Sequence, residues 1–262
     1  TYKILNNFTA TGNWSDVSKW SLGRLPHASD DVEIRATIAC TFNVATATVN
    51  DMYVGPAGEL NIAATNALTI EGNLIQSGAL NVSSNATNNG SLIVKGTATG
   101  NVTYNRYVST DWHLVSSPVE GKDINDFAAS VSTNGNNYAI APYNNATTSL
   151  LRWNYFTNDA GTNDIAFAGN FETAKGYTIK KDVVGTLDFT GTLNTTDKTI
   201  AITDGGDDPA GNRWNLVGNP YTSAINANNN ADATNNFLKV NIDAGNLDPS
   251  RAGLYVWDGG PN

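Results

Sequence analysis

The sequence has one cysteine, Cys40, and two histidines, His27 and His113, among its 262 residues. A single cysteine forms no disulfide within its own chain, so the stability of the fold has to come from packing and hydrogen bonds. We expect Cys40 to be a small buried apolar residue. Neither histidine has the His-Glu-x-x-His spacing of a metal site, which argues against metal catalysis through imidazole or thiolate ligands.

Positive charge and long apolar runs are also scarce. Fifteen Lys and Arg stand against 24 Asp and Glu, a net charge of -9, whereas proteins bind nucleic-acid phosphates with Lys and Arg. Nucleic acid is therefore excluded as a partner. A membrane-spanning helix needs about 20 consecutive apolar residues, and the apolar stretches here are interrupted within a few positions, so no membrane span is predicted. The chain begins with Thr1 and no apolar leader, which predicts a mature or excised fragment.

Glycine and short repeated segments are abundant. Residues 58–66 align with 78–86, and residues 68–72 align with 92–96, at offsets of 20 and 24. Each copy has a short apolar-polar-apolar strand followed by Gly, Asn or Ser, which tolerate tight corners. Stacking such coils buries one continuous core. The repeats predict an all-β fold with a short parallel β-solenoid over residues 31–105; a meandering antiparallel sandwich is the alternative.

The segment 1–30 before these coils has two tryptophans, Trp14 and Trp20, close to Leu22 and Leu25. The end of a solenoid exposes an apolar cross-section that an atypical segment has to cover. We therefore predict an N-terminal cap over residues 1–30. The alternative is that the two tryptophan rings form a platform for stacking on sugars.

A second repeat links distant parts of the chain. Trp-His-Leu-Val-Ser-Ser-Pro at 112–118 matches Trp-Asn-Leu-Val-Gly-Asn-Pro at 214–220, an offset of 102. It predicts a jelly-roll-like β-sandwich region over 106–262 with an internal duplication, about 106–205 and 206–262. The second copy stops before its last strands. Because an incomplete sheet leaves unpaired edges, we expect later residues of its parent chain or a neighbouring molecule to complete it.

These motifs together carry a family resemblance. The chain resembles the large surface proteins that Bacteroidota export by type IX secretion. The segments that carry the resemblance are Gly12-Asn13-Trp14-Ser15, the Gly-Asn-Leu and Gly-Ser-Leu coils, residues 105–108 and residues 214–221. The resemblance implies a secreted or outer-surface protein of adhesin type. It also implies a C-terminal sorting domain beyond regions like this one. It transfers no catalytic residues.

The search for catalytic residues is mostly negative. No Gly-x-Ser-x-Gly elbow marks a nucleophile, and the second repeat has Asn215 where the first has His113, which favours a structural role for this position. Paired acids suffice for glycoside cleavage, but the regular coils offer only Glu59 and Glu71 and no Asp cluster. We predict that the protein is not an enzyme.

Calcium is the one metal that the sequence leaves open, since hard cations bind several oxygens in acidic turns. The best run contains Asp204, Asp207 and Asp208, and Asp243 with Asp248 is a second one. An acidic hairpin turn without metal is the alternative, because Asp and Gly are ordinary turn residues. No other cofactor is predicted.

Two functions fit these observations. The first is a non-catalytic structural or adhesion module that contacts other protein chains or surface glycans through sheet edges and loops. The second is a carbohydrate-binding module appended to a polysaccharide-active enzyme, in which exposed aromatic rings stack on sugars. The candidate sugar-binding residues are Tyr104, Tyr107, Tyr143, Trp153, Tyr155 and Trp257. Solvent exposure of these rings separates the two functions.

Overall fold

The computed structural model describes residues 3–147, 151–161, 163–205, 214–250 and 252–256. The first part of the chain consists of short strands: β1 (Ile4–Phe8), β2 (Gly12–Asn13), β3 (Asp30–Ile34), β4 (Ala39–Phe42), β5 (Thr46–Val49), β6 (Met52–Val54), β7 (Glu59–Ile62), β8 (Ala67–Ile70), β9 (Leu74–Gln76), β10 (Ala79–Ser83), β11 (Ser91–Val94), β12 (Ala98–Thr99) and β13 (Asn101–Val108).

Shorter and more irregular elements follow: β14 (His113–Val115), β15 (Val119–Glu120), β16 (Thr133–Asn134), β17 (Asn137–Tyr138), β18 (Ile140–Pro142), β19 (Tyr177–Ile179), β20 (Gly185–Leu193) and the helix α1 (Phe237–Asp243). Short 3₁₀ turns lie at Val17–Lys19, Ile124–Phe127 and Ile165–Phe167. Among the described residues, no helix has the length and apolar character needed to cross a membrane.

The strands β1 to β13 form a parallel β-solenoid, the fold that the repeats predict, but it begins at Ile4 instead of residue 31, because β1 and β2 pair in parallel with β3 and β4. One face is the sheet β1-β3-β6-β9-β12, the second contains β2-β4-β7-β10-β13, and the third is β5-β8-β11. All of these strands pair in parallel, and the repeat aligns Leu60 with Leu80 across β7 and β10. The alternative of an antiparallel sandwich for residues 31–105 is therefore wrong. Five strands in the first sheet correspond to five coils.

The core of the solenoid follows from the alternation within each strand. Leu60 and Ile62 are fully buried, whereas Asn61 between them is half-buried on the outer face. Cys40 pairs in register with Leu60 and is a free, buried thiol whose pKa burial raises. It acts as a small apolar residue, as expected. Stacking identical positions coil on coil gives one continuous column of apolar side chains.

Residues 14–21 close the N-terminal end of the solenoid. The ring centroids of Trp14 and Trp20 lie 4.6 Å apart, and Trp14 lies 4.9 Å from the ring of Phe42. Trp14 and Trp20 are 1% and 3% exposed, so they are not available as a sugar platform. The range 1–30 predicted as a cap is not wholly separate from the coils, because β1 and β2 within it pair in parallel with β3 and β4. The N–H of Ser21 donates to the carbonyl of Asn7 at 2.9 Å, which covers the outer edge of β1.

The antiparallel region, residues 109–222, packs onto the last coil. β13 continues out of the solenoid and pairs with β20 in antiparallel register along its whole length. A separate sheet has the order β14-β19-β18. The antiparallel region has a hydrophobic core of its own, which we call the second core. It is rich in aromatic rings, including Phe127, Phe171 and Phe189, which make edge-to-face contacts. At the outer edge of β11, the Thr222 hydroxyl donates to the carbonyl of Leu92 at 2.8 Å, and the Leu92 N–H donates to the Thr222 carbonyl at 3.1 Å.

The two copies of the second repeat do not form two separate sheets. Segment 112–118 contributes β14, which pairs with β19, while Val217 of the other copy pairs with Lys175, just before β19. The hydroxyl of Ser116 donates to the carbonyl of Asn219 at 2.9 Å. Both copies thus lie against one stretch, residues 174–179. The predicted jelly-roll-like duplicated sandwich is not confirmed.

Residues 223–262 form a compact unit of their own. We predicted β-structure for 206–262, but the described part of this range contains the helix α1 and no named strand. The physical reason is local: the side chain of Asn236 accepts a hydrogen bond from the Lys239 N–H and caps the first turn. Half-buried residues then recur at helical spacing, at Phe237, Leu238 and Asn241.

Candidate functional site

The sheet β14-β19-β18 carries a surface of aromatic side chains on the face opposite the core. Residues 152–156 extend the sheet beyond β18, since the Asn144 N–H donates to the carbonyl of Arg152 at 2.8 Å and Tyr143 bridges to Trp153. Ile140 is fully buried in the second core. Because side chains alternate along a strand, Tyr143, Trp153 and Tyr155 lie on the opposite face.

Trp112 and Leu114 belong to the same face. The rings of Trp112 and Tyr155 lie 5.9 Å apart, and the rings of Tyr143 and Trp153 lie 5.1 Å apart with an interplanar angle of 68°. All four rings are half-buried, and Leu114 is 36% exposed. We call these five residues the aromatic surface. Tilted and edge-to-face contacts hold the rings in fixed positions.

Small side chains underlie this surface. Ala141 pairs with Thr178, and Thr178 pairs with Leu114, so the alternation of the sheet places all three on the aromatic face. Ala141 is fully buried and Thr178 is 5% exposed, which means that larger neighbours cover them. Burial also raises the pKa of the Tyr155 hydroxyl. The phenol is therefore a neutral hydrogen-bonding group at neutral pH.

The structure brings together three of the six predicted sugar-binding residues: Tyr143, Trp153 and Tyr155. Tyr104 lies on β13 between the two cores and packs against both of them, and burial raises the pKa of its hydroxyl. Tyr107 is half-buried on the same strand, opposite Thr186. Trp257 lies outside the described residues.

Trp112 and Leu114 are the members of the aromatic surface that the candidate list missed. The signal for them was present, because Trp112 and Leu114 alternate with His113 and Val115 in the repeated segment. An alternating strand places its odd and even residues on opposite faces. The sequence does not say which face remains open, since this depends on the partners of the sheet.

The calcium prediction concerns residues that the structure describes only in part. Asp204 is described, whereas Asp207 and Asp208 lie outside the described residues. Asp243 forms an ion pair with Lys239 at 2.7 Å, and the carboxylate of Asp248 accepts a hydrogen bond from the Ser250 hydroxyl. In the described ranges, no three His, Cys, Asp or Glu side chains are grouped as a metal site. Calcium binding stays a prediction.

His113 makes local contacts. Its Nε2 atom accepts a hydrogen bond from the Ser109 N–H at 3.0 Å and lies 2.9 Å from the Ser109 hydroxyl. Burial lowers the pKa of the imidazole, with a smaller contribution from the positive charge of Arg106. Ser117, the nearby hydroxyl on the repeat, donates to the carbonyl of Val119 at 2.6 Å. These contacts describe a turn-stabilising histidine.

Three acidic side chains of the solenoid form hydrogen bonds or ion pairs with neighbouring side chains. Glu71 accepts from Lys95 at 2.8 Å, one coil further on. The carboxylate of Glu59 accepts from the Asn61 amide at 2.9 Å. At the cap, both carboxylate oxygens of Asp30 accept hydrogen bonds from the Arg24 guanidinium, at 2.5 and 3.1 Å. Each of these acids therefore has a structural partner.

One edge of the solenoid is open. β5 stands at the end of the sheet β11-β8-β5, and the N–H groups of Ala67 and Glu71 donate to the carbonyls of Ala45 and Val49. Alternation along a parallel strand therefore turns the backbone groups of Thr46 and Thr48 away from β8. Within the described ranges, these groups make no backbone hydrogen bond on that side.

Comparison with known proteins yields one finding. Neither a curated protein nor a solved structure matches the chain. The model of a family described as "Domain of unknown function (DUF8693)" matches residues 7–258, which is nearly the whole chain and includes both the solenoid and the antiparallel region. The chain belongs to this family.

Proposed function

We propose that this protein is a non-catalytic structural and adhesion module, secreted or displayed on the outer surface of a bacterium of the Bacteroidota. Its partners are other protein chains or surface glycans, and residues elsewhere in its parent chain anchor it. The solenoid acts as a rigid spacer because each coil is packed on the next and the first coil has its own cap. The antiparallel region carries the contact surface.

The aromatic surface is the observation that carries this proposal. Trp112, Tyr143, Trp153 and Tyr155 keep part of each ring in solvent, on a sheet whose other face is packed in the second core. Large aromatic side chains at partly exposed positions are typical anchors of binding interfaces. The acids and His113 described above have structural partners, which supports a role in contact over one in catalysis.

The test measures attachment. Beads coated with the protein are applied to Bacteroidota cells and to films of their purified surface polysaccharides, and the force needed for detachment is recorded. In the double variant Trp153→Ala, Tyr155→Ala, the detachment force is expected to fall about tenfold or more, as it does when hot-spot residues of an interface are removed. Tyr53→Ala is the matched control, because Tyr53 is a half-buried ring on the outer face of β6, in the solenoid. Equal attachment of the double variant and the control contradicts the proposal.

A carbohydrate-binding module appended to a polysaccharide-active enzyme is the second candidate. The observation in its favour is the same set of rings, since the C–H face of a sugar packs on an aromatic ring while its hydroxyls bond to polar groups at the rim. Binding is followed by tryptophan fluorescence during titration with soluble neutral and acidic glycans. The variant Trp153→Ala keeps Trp112 and Trp214, so its fluorescence can still be followed. A fluorescence change on glycan titration that persists in this variant counts against a carbohydrate-binding module.

Assembly through the open edge of β5 is part of the first proposal. An exposed strand edge pairs with another chain unless charge or proline blocks it. Thr48→Pro removes an N–H that faces away from β8, so we expect the fold to tolerate it and edge-to-edge association to fall. Sedimentation of the wild type and this variant over a concentration series measures the effect. A wild type that stays monomeric throughout removes assembly from the proposal.

A further inference from the structure

The sheet that contains β2-β4-β7-β10-β13 is extended by β20 and β15 to seven strands. A polar groove opens on its outer face, at the last two coils of the solenoid. Its volume is about 470 Å³, within the roughly 300–1,000 Å³ typical of ligand sites. The residues that line it are Gln76, Gly78, Ala79, Leu80, Asn81, Gly100, Asn101, Thr103 and Thr190. None of them carries a charge. The groove is separate from the aromatic surface, with which it shares no residue.

Glycine lets successive coils stack closely at the solenoid corner that borders this groove. A Cβ atom on Gly78 would lie 2.1 Å from the carbonyl oxygen of Gly58. A Cβ atom on Gly100 would lie 2.1 Å from the carbonyl oxygen of Gln76, and Gly100 has a φ of +89°, which side chains disfavour. The corner therefore has no side chains in these coils. Next to it, Ala79 contributes only a methyl group.

A row of polar side chains forms one wall of the groove. The strand registers align Asn61 with Asn81, Asn81 with Thr103, and Thr103 with Thr190. The amide of Asn81 donates to the amide oxygen of Asn61 at 2.8 Å, and the hydroxyls of Thr103 and Thr190 lie 2.9 Å apart. The polar groups are thus held about 4.8 Å apart, at the spacing of neighbouring strands.

The wall retains unused hydrogen-bonding capacity. The Asn81 amide uses its hydrogens on Asn61 and, more weakly at 3.5 Å, on Glu59. Its oxygen accepts no side-chain or backbone hydrogen bond from the described residues. The Asn101 amide, in the next coil, is exposed and makes no side-chain hydrogen bond in the described ranges. The groove therefore offers at least one free acceptor, the Asn81 amide oxygen, and one exposed amide, that of Asn101.

We propose that this groove binds a neutral oligosaccharide. Hydroxyl groups both donate and accept, so they match a wall in which the side chains of Asn81, Thr103 and Thr190 are already held by hydrogen bonds. A charged ligand gains no counter-charge from the lining, and the Glu59 carboxylate beside Asn81 disfavours an anion. The site is independent of the aromatic surface, so it is a second and separate glycan site that does not rest on the proposed role of the aromatic rings.

Calorimetric titration of the whole chain tests the groove. The probes are neutral hexasaccharides (cello-, xylo-, manno- and laminarihexaose) and one acidic probe, oligogalacturonate. We expect at least one neutral probe to bind. Ala79→Trp fills the floor of the groove and is expected to abolish binding. Asn101→Ala removes one hydrogen-bonding side chain and is expected to weaken binding about fivefold to tenfold.

Two controls make the outcome decisive. Thr41→Val removes a hydroxyl from the same polar row at an exposed position two coils before the groove, and it should leave binding unchanged. Trp153→Ala should also leave it unchanged. Four outcomes would each overturn the proposal. The first two are binding that survives Ala79→Trp and binding that is lost only in Trp153→Ala. The other two are tighter binding of oligogalacturonate than of every neutral probe, and no binding of any neutral probe at millimolar concentration. An unchanged thermal unfolding transition verifies the fold of each variant.

Discussion

The solenoid and the antiparallel region solve the same packing problem in different ways. In the solenoid the strands bury alternate residues, as with Leu60 and Ile62, and the residue between them on the outer face, Asn61, is polar and half-buried. The antiparallel region buries one face of β18 in an aromatic core and leaves large rings such as Trp153 half-exposed on the other. The regular stacking of coils stabilises the solenoid. In the antiparallel region, irregular segments between the strands expose large side chains to solvent, and binding residues are usually found on such segments.

The largest expected effect contrasts two tryptophans. Trp20 is buried in the cap, and its indole N–H donates to the Trp14 carbonyl at 2.8 Å, so Trp20→Ala is expected to lower the free energy of unfolding by about 3–5 kcal/mol. Trp153 is half-buried, so Trp153→Ala is expected to cost about 1 kcal/mol. Urea denaturation followed by circular dichroism measures both. Equal losses would mean that the aromatic surface is part of a core.

A second contrast concerns glycine. Gly78→Ala places a methyl group against the carbonyl oxygens of Gly58 and Gly55, at 2.1 and 2.4 Å, and these belong to a stacked backbone that moves only if the coil moves. We expect a loss of about 3 kcal/mol or more. Gly161→Ala, in the antiparallel region, meets nothing within 4 Å and is expected to stay within about 0.5 kcal/mol. Thermal unfolding of the two variants gives the comparison; a tolerant Gly78 would show that the coils are loosely stacked.

The third contrast compares acid pairs. Hydrogen bonds from Arg24, with a smaller one from the His27 N–H, hold the pKa of Asp30 below its usual range. The ion pair therefore contributes stability above about pH 4, the unfolded value, and this stability is lost as the pH falls through the folded pKa. Asp30→Asn is expected to cost about 1–3 kcal/mol at neutral pH and to flatten the acid dependence of urea unfolding.

The matched control is Asp126→Asn in the antiparallel region. Asp126 pairs with Lys122 at 2.8 Å, but its side chain is 57% exposed, and exposed ion pairs contribute only about 0–1 kcal/mol. We expect a small effect that added salt removes. A loss as large as that of Asp30→Asn would contradict the distinction between the buried cap pair and the surface pair.

The solenoid could be predicted because its information is local. Leu60 and Leu80 stand at the same point of two similar segments, and stacking in register is the arrangement that buries both. The antiparallel region could not be predicted in the same way. Trp112 and Trp214 start similar segments, yet the first segment forms β14, whereas the second makes an isolated bridge to Lys175 through Val217. The difference lies in the partner strand, which is distant in sequence.

The candidate site shows the same limit. Tyr143, Trp153 and Tyr155 are candidates from the sequence because their aromatic rings can stack on sugars, and the fold gathers them because residues 143 and 153 pair in antiparallel fashion. Tyr104 had the same sequence character but lies between two cores. The polar groove had no signal of its own, since Asn81, Thr103 and Thr190 become neighbours only through strand register.

The smallest effect tests how the two copies of the repeat differ. Burial lowers the pKa of His113, so the unfolded chain takes up the proton first as the pH falls below about 6.5, and the stability that the neutral imidazole contributes is lost. The second copy of the repeat has Asn215 at the matching position, so His113→Asn is expected to lower the free energy of unfolding by less than about 1 kcal/mol at pH 7.5. Near pH 5.5, the variant is expected to lack the acid-induced loss of stability that the imidazole causes. Ser109→Ala keeps the imidazole and should keep the loss. Identical unfolding curves for wild type and His113→Asn at both pH values would show that the imidazole is solvated, and that the two copies are equivalent at this position.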